Sequence, residues 1–192
     1  MEKEVREKPN YLDQLTFLSG PFVEDPLIVL DNFFMGSDLN EFRKELWNWL
    51  RAALTSNRTC YDYYKERKNL LLLYDRLLEL AEAAYLLCKK AGIKMEKVHK
   101  KLKRQNRIIC LTAAYRDNPL LVFERFFEDY HLNELRNDLW EWLYATLSDD
   151  NDTYNNYKER DDVLFLYYRL MELGEAGLIL IQNSQGKRTR LQ

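Results

Sequence analysis

The sequence predicts an all-α protein: an internally duplicated helical bundle of two similar lobes, each of about three to four helices, related by a pseudo-two-fold axis. Three observations predict it. The 192-residue chain matches itself at an offset of 93, so that 25–87 aligns without a gap on 118–180 with 30 identities in 63 positions. Apolar residues in both copies recur at three- and four-residue steps, the period of a helix with one buried face. No run alternates apolar and polar residues convincingly in the period of a strand. Two copies are fewer than a stacked solenoid needs, which favours two lobes packed together. The expected division is a first lobe over 1–92, a basic linker of helical character over 93–107, and a second lobe over 108–192 with a basic tail at 186–192.

Each element has a local cause. Leu27, Leu30 and Phe34 share a face after Pro26, and proline suits the first turn of a helix. The next helix is marked by Leu39, Phe42, Leu46, Trp49, Leu50 and Ala53 on one side and by Asn40, Glu41, Lys44, Glu45 and Asn48 on the other. Asp38 followed by Glu41 reads as a capping pair at its start. SNRTCYDYY and its counterpart SDDNDTYNNY carry the Ser, Asn, Asp and Thr of a loop and N-cap. A third helix follows, with Leu70, Tyr74, Leu77, Leu78, Ala81, Tyr85 and Cys88 as its stripe and Gly92 as its stop. The second copy repeats all three elements.

Composition narrows the class. With 46% hydrophobic and 31% charged residues, 6 Gly and 4 Pro, the chain is neither disordered nor fibrous. Cys60, Cys88 and Cys110 are odd in number and lack a CxxC pair, so neither a disulfide framework nor a thiolate metal site is expected. The opening MEKEVREKPN alternates charge and lacks the apolar core of a signal peptide. The longest apolar runs are six residues, too short for a bilayer. A cytoplasmic protein with no membrane contact is expected. Charge is segregated: 89–107 holds nine Lys or Arg against the single Glu96, and the rest of the chain carries 20 basic and 30 acidic side chains.

Three groups of residues are candidates for chemistry. At 100° per residue from Leu39, Arg43 falls near 40°, inside the apolar arc, and Arg136 repeats it. A guanidinium there needs a carboxylate, because an unpaired buried charge is strongly unfavourable. Glu82 and Glu175 flank the third-helix stripe, so structural ion pairs Arg43–Glu82 and Arg136–Glu175 are expected within each lobe. The Tyr-Lys-Glu-Arg block, Tyr64 to Arg67 and Tyr157 to Arg160, opens a helix in both copies and mostly reads as a solvated, locally paired face. Tyr64, Arg67, Tyr157 and Arg160 are nonetheless candidate partner contacts, as are Trp47 and Trp140, which lie about 80° round the helix from the apolar reference. In the basic segment, Lys97, Lys100, Lys101, Lys103, Arg104 and Arg107 are candidate phosphate contacts.

Enzyme readings find little support. The two histidines, His99 and His131, have no counterparts in the other copy, and no HExxH, GxSxG, P-loop or GxGxxG occurs. The helical-ribonuclease spacing of an Arg followed four to six residues later by His is absent after both Arg43 and Arg136. No catalytic residue, metal or cofactor is expected. The expectation is a non-enzymatic interaction or adaptor protein that shows an aromatic, acidic surface to a protein partner. It should be a monomer in which duplication has made a former dimer intramolecular. The alternative is a regulator that binds nucleic acid through 89–107.

Overall fold

The computed structural model describes residues 13–35, 38–55, 61–90, 108–148, 154 and 156–188. The linker over 93–107, Gly92, Cys60 and the side chains of the 186–192 tail lie outside the described residues, and with them all six candidate phosphate contacts. The described residues form helices and no strand. They run α1 (Pro21–Glu24), α2 (Pro26–Met35), α3 (Leu39–Leu54), α4 (Tyr64–Lys89), α5 (Ala113–Asp117), α6 (Leu120–Asp129), α7 (Leu132–Leu147) and α8 (Tyr157–Arg188). None of these helices is long and apolar enough to cross a membrane.

Local chemistry sets the helix starts. The Asp38 carboxylate accepts from the Asn40 and Glu41 N–H groups and so satisfies two of the free donors of α3. The equivalent residue before α7 is His131, and there a residue from the start of the chain takes over. Asp13 Oδ1 accepts from Leu132 N–H at 3.2 Å and lies 3.3 Å from His131 Nδ1.

Packing ties the two halves together crosswise. The helices α3 and α7 lie against each other, but α3 otherwise packs on α8, and α7 on α4. Within a half, α3 hardly meets α4 and α7 hardly meets α8. At the centre Trp49 and Trp142, both fully buried, stack with centroids 4.5 Å apart, and the Trp49 indole N–H points at the Trp142 carbonyl. Further out, Trp47 meets Tyr167 edge-on at 6.2 Å, and the equivalent Trp140 meets Tyr74 at 6.3 Å.

The buried ion pairs follow the same rule, and this corrects the expected partners. Arg43 pairs with Glu175, not Glu82, and Arg136 pairs with Glu82, at 2.7 Å, not with Glu175. The reason is the helix arrangement: α3 faces α8, so the carboxylate within reach of Arg43 belongs to the other half. Each carboxylate is also wrapped by backbone. Glu82 accepts from the N–H groups of Thr16, Phe17 and Leu18, and Glu175 from those of Ile109, Cys110 and Leu111. These two triplets are themselves 93 residues apart, so the repetition of contacts reaches beyond the aligned 25–87.

One crosswise contact is asymmetric. Phe42 on α3 is buried directly over Gly174 on α8; a β-carbon at 174 would overlap its ring, with Cζ 3.0 Å away. The equivalent positions are Leu135 and Ala81, a smaller residue facing a larger one. Gly174→Ala is therefore expected to destabilise by about 1–3 kcal/mol through overpacking, despite its gain in helix propensity. Adding Phe42→Leu should recover most of the loss in urea unfolding. Recovery by Phe42→Leu to no measurable extent would show that the two do not share space.

Candidate functional site

The helices α3 and α4 hardly touch, since α3 packs on α7 and α8 while α4 packs on α2, α6 and α7, and a cleft lies between them. The same holds for α7 and α8. The α7–α8 cleft, about 250 Å³, is lined by Asp138 and Glu141 from α7, by Glu159, Asp162, Val163, Phe165 and Leu166 from α8, and by Tyr130 and Tyr154. The α3–α4 cleft, about 130 Å³, is lined by Glu45, Asn48, Tyr61, Glu66, Asn69, Leu70 and Leu73. All seven of these positions recur, 93 residues on, in the larger cleft. The change between them is one of charge: Asn48 and Asn69 of the first correspond to Glu141 and Asp162 of the second.

The electrostatics match the lining. Burial, then Glu141, Glu134 and Asp162, push the Asp138 carboxyl up to about 6. Burial and the neighbouring carboxylates also raise Tyr130 and Tyr154 above the ordinary phenol range. Across the other cleft Glu45 is raised by burial and Glu41, with Arg76 and Lys44 opposing. The nearby cations are committed elsewhere. Arg169 sits over the Phe165 ring and pairs with Asp129 and Glu172, while Arg160 donates from Nε to the Tyr154 carbonyl.

An acid whose folded-state pKa lies above its unfolded value weakens the fold once ionised. From about pH 6 upward Asp138 is charged folded and unfolded, and the fold alone bears the crowding. Below about pH 4 it is protonated in both states, and the difference disappears. Asp138→Asn should thus stabilise by about 1 kcal/mol near pH 8, discounted for the half-exposed site, with the gain fading between about pH 6 and 4. A pH-independent effect on the melting temperature would contradict this.

The other candidate residues fall into two kinds. Trp47 and Trp140 are 51% and 57% exposed, and Tyr64 and Tyr157 are 82% and 87% exposed, so all four face solvent. Arg67 and Arg160 do not stand free: each donates from Nε at 2.8 Å to a carbonyl of the preceding loop, Tyr61 or Tyr154. Their repetition thus has a structural cause in the start of α4 and α8. The clefts were not anticipated from sequence, which placed Glu45 and Asn48 on a solvated face. The usable signal was that Glu66 recurs as Glu159 and Glu45 as Asp138, both opposite a recurring tyrosine, Tyr61 or Tyr154. Among the described residues no group of three or more His, Cys, Asp or Glu is arranged to hold a metal ion.

No family model, curated protein or solved structure matches this chain.

Proposed function

We propose that this protein is a non-enzymatic helical adaptor in the cytoplasm, which presents an acidic, aromatic surface to a protein partner. The observation that carries the reading is the pair of matched clefts, lined by carboxylates and tyrosines at equivalent positions of both repeats. Exposed Trp47 and Trp140, each braced by a tyrosine from the other half, supply the large rigid contact area that interaction surfaces favour. The reciprocal contacts support an intramolecular pseudo-dimer about an approximate two-fold axis. In this reading a single-repeat ancestor paired symmetrically, and fusion of two copies left the present chain a monomer.

The second reading, nucleic-acid binding, rests on the nine Lys or Arg of 89–107. A titration of the full chain with single-stranded RNA and duplex DNA across salt concentrations separates the two. The adaptor reading expects no micromolar binding at physiological salt. Micromolar binding that weakens steeply with salt, as phosphate contacts require, would overturn it.

A further inference from the structure

The walls of the two clefts do not neutralise one another. In the larger cleft four carboxylates converge on walls of Tyr130, Tyr154 and Phe165, and the carboxylates acting on Asp138 are Glu141, Glu134 and Asp162. In the smaller, Glu66 keeps a fully buried Oε2 with no hydrogen-bond donor. An acceptor buried without a donor costs about 1–3 kcal/mol, and crowded like charges carry a cost of their own. The orphaned acceptor belongs to the smaller cleft and the crowding of carboxylates to the larger, and a cationic donor entering either cleft would relieve its cost. The recurrence of acids is not forced by the core, since these acids line clefts between helices that hardly touch.

We propose that the clefts are receptor sites for arginine or lysine side chains on a basic segment of a protein partner, with the α7–α8 cleft the stronger of the two. This rests on the adaptor reading and gives the chemistry its partner would carry. Three features favour a side chain over a bare ion. The described carboxylates do not form a metal-ligand set. The aromatic walls suit a cation whose stem needs apolar contact. A cleft of about 250 Å³ also leaves room for that stem beside the charged group. The order of strength follows from charge, because Glu141 and Asp162 stand where the first repeat has the neutral Asn48 and Asn69.

The test uses the full chain and a fluorescein-labelled octapeptide of alternating Gly and Arg, with a Gly–Glu octapeptide as control, read by anisotropy at low salt. Asp138→Asn with Asp162→Asn should weaken Gly–Arg binding by about tenfold, the loss of a charge-assisted contact. Glu24→Gln with Glu128→Gln removes the same charge from exposed positions on other helices and should change binding less than about twofold. Both doubles remain readable, since neither removes a buried ion pair, and thermal melts verify folding. Equal losses in the two doubles, or no binding of the Gly–Arg peptide, would overturn the proposal. So would displacement of the peptide by calcium ion or spermidine at concentrations below the peptide's own Kd, which would mark a small-cation site. Any of these leaves the adaptor reading standing on its exposed tryptophans. Steep salt-dependent RNA binding removes that reading whatever the peptide does.

Discussion

Arg43→Met is expected to cost about 3 kcal/mol, and the loss should couple to Glu175 rather than to Glu82. Both members of the pair are well buried, with side chains 12% and 0% exposed. The figure sits at the lower end for breaking a buried pair, because the N–H groups of Ile109, Cys110 and Leu111 still solvate the Glu175 carboxylate. Glu175→Ala should cost more than Arg43→Met, since it strands those three amides together with the guanidinium. In a double-mutant cycle measured by urea unfolding, Arg43→Met and Glu175→Gln should be strongly non-additive. Arg43→Met and Glu82→Gln, which belong to different pairs, should add to within about 0.5 kcal/mol. Coupling to Glu82 instead would mean that the helices pack within each half, not across.

Trp49→Ala and Trp142→Ala should each destabilise by about 3–5 kcal/mol, the range for emptying a large buried aromatic site. The stack at 4.5 Å adds a pair term to the burial of each ring. The site has little room to collapse, because the central ring on each side is itself packed between α3 and α7. The two are not equivalent in their polar atoms: Trp49 Nε1 reaches the Trp142 carbonyl, whereas the buried Trp142 Nε1 has no partner. Trp142→Phe should therefore be tolerated better than Trp49→Phe, because it removes a donor that is already unsatisfied. Trp47→Ala and Trp140→Ala, at exposed positions, should cost no more than about 1 kcal/mol. Losses of similar size at all four tryptophans would remove the distinction between core and surface pairs.

Much of the secondary structure was legible because its causes are local. Asp38 before Leu39, Pro26 before Leu27, and the spacing from Phe42 to Leu50 carry their own period and caps. The burial of Arg43 was legible for the same reason, since helical phase alone puts it inside the apolar arc. Its partner was not. When two halves share Arg, Glu and stripe at an offset of 93, the pairs Arg43–Glu82 and Arg43–Glu175 satisfy the same pattern, and phase cannot choose between them. A trace of the answer lay in Gly174, a gap in the stripe of the second repeat that accommodates the larger Phe42 of the first. The clefts were hidden for a related reason. Polar residues such as Glu45 and Asn69 read as solvent-facing on any single helix, and only the placing of two helices on either side of a cleft turns two such faces into its walls.

The crosswise ion pairs also bear on how the chain is made. Arg43 is synthesised 132 residues before Glu175, a wait of roughly ten seconds at ordinary elongation rates. Through that interval the first half leaves the ribosome with Glu82 unable to meet Arg136 and with Trp49 lacking its stacking partner. A neighbouring nascent chain on the same message carries the equivalent Arg43 and Glu82, but its Ala81 stands where Phe42 requires Gly174. Synthesis from one end thus leaves the crosswise contacts of the first half open until the second half has emerged.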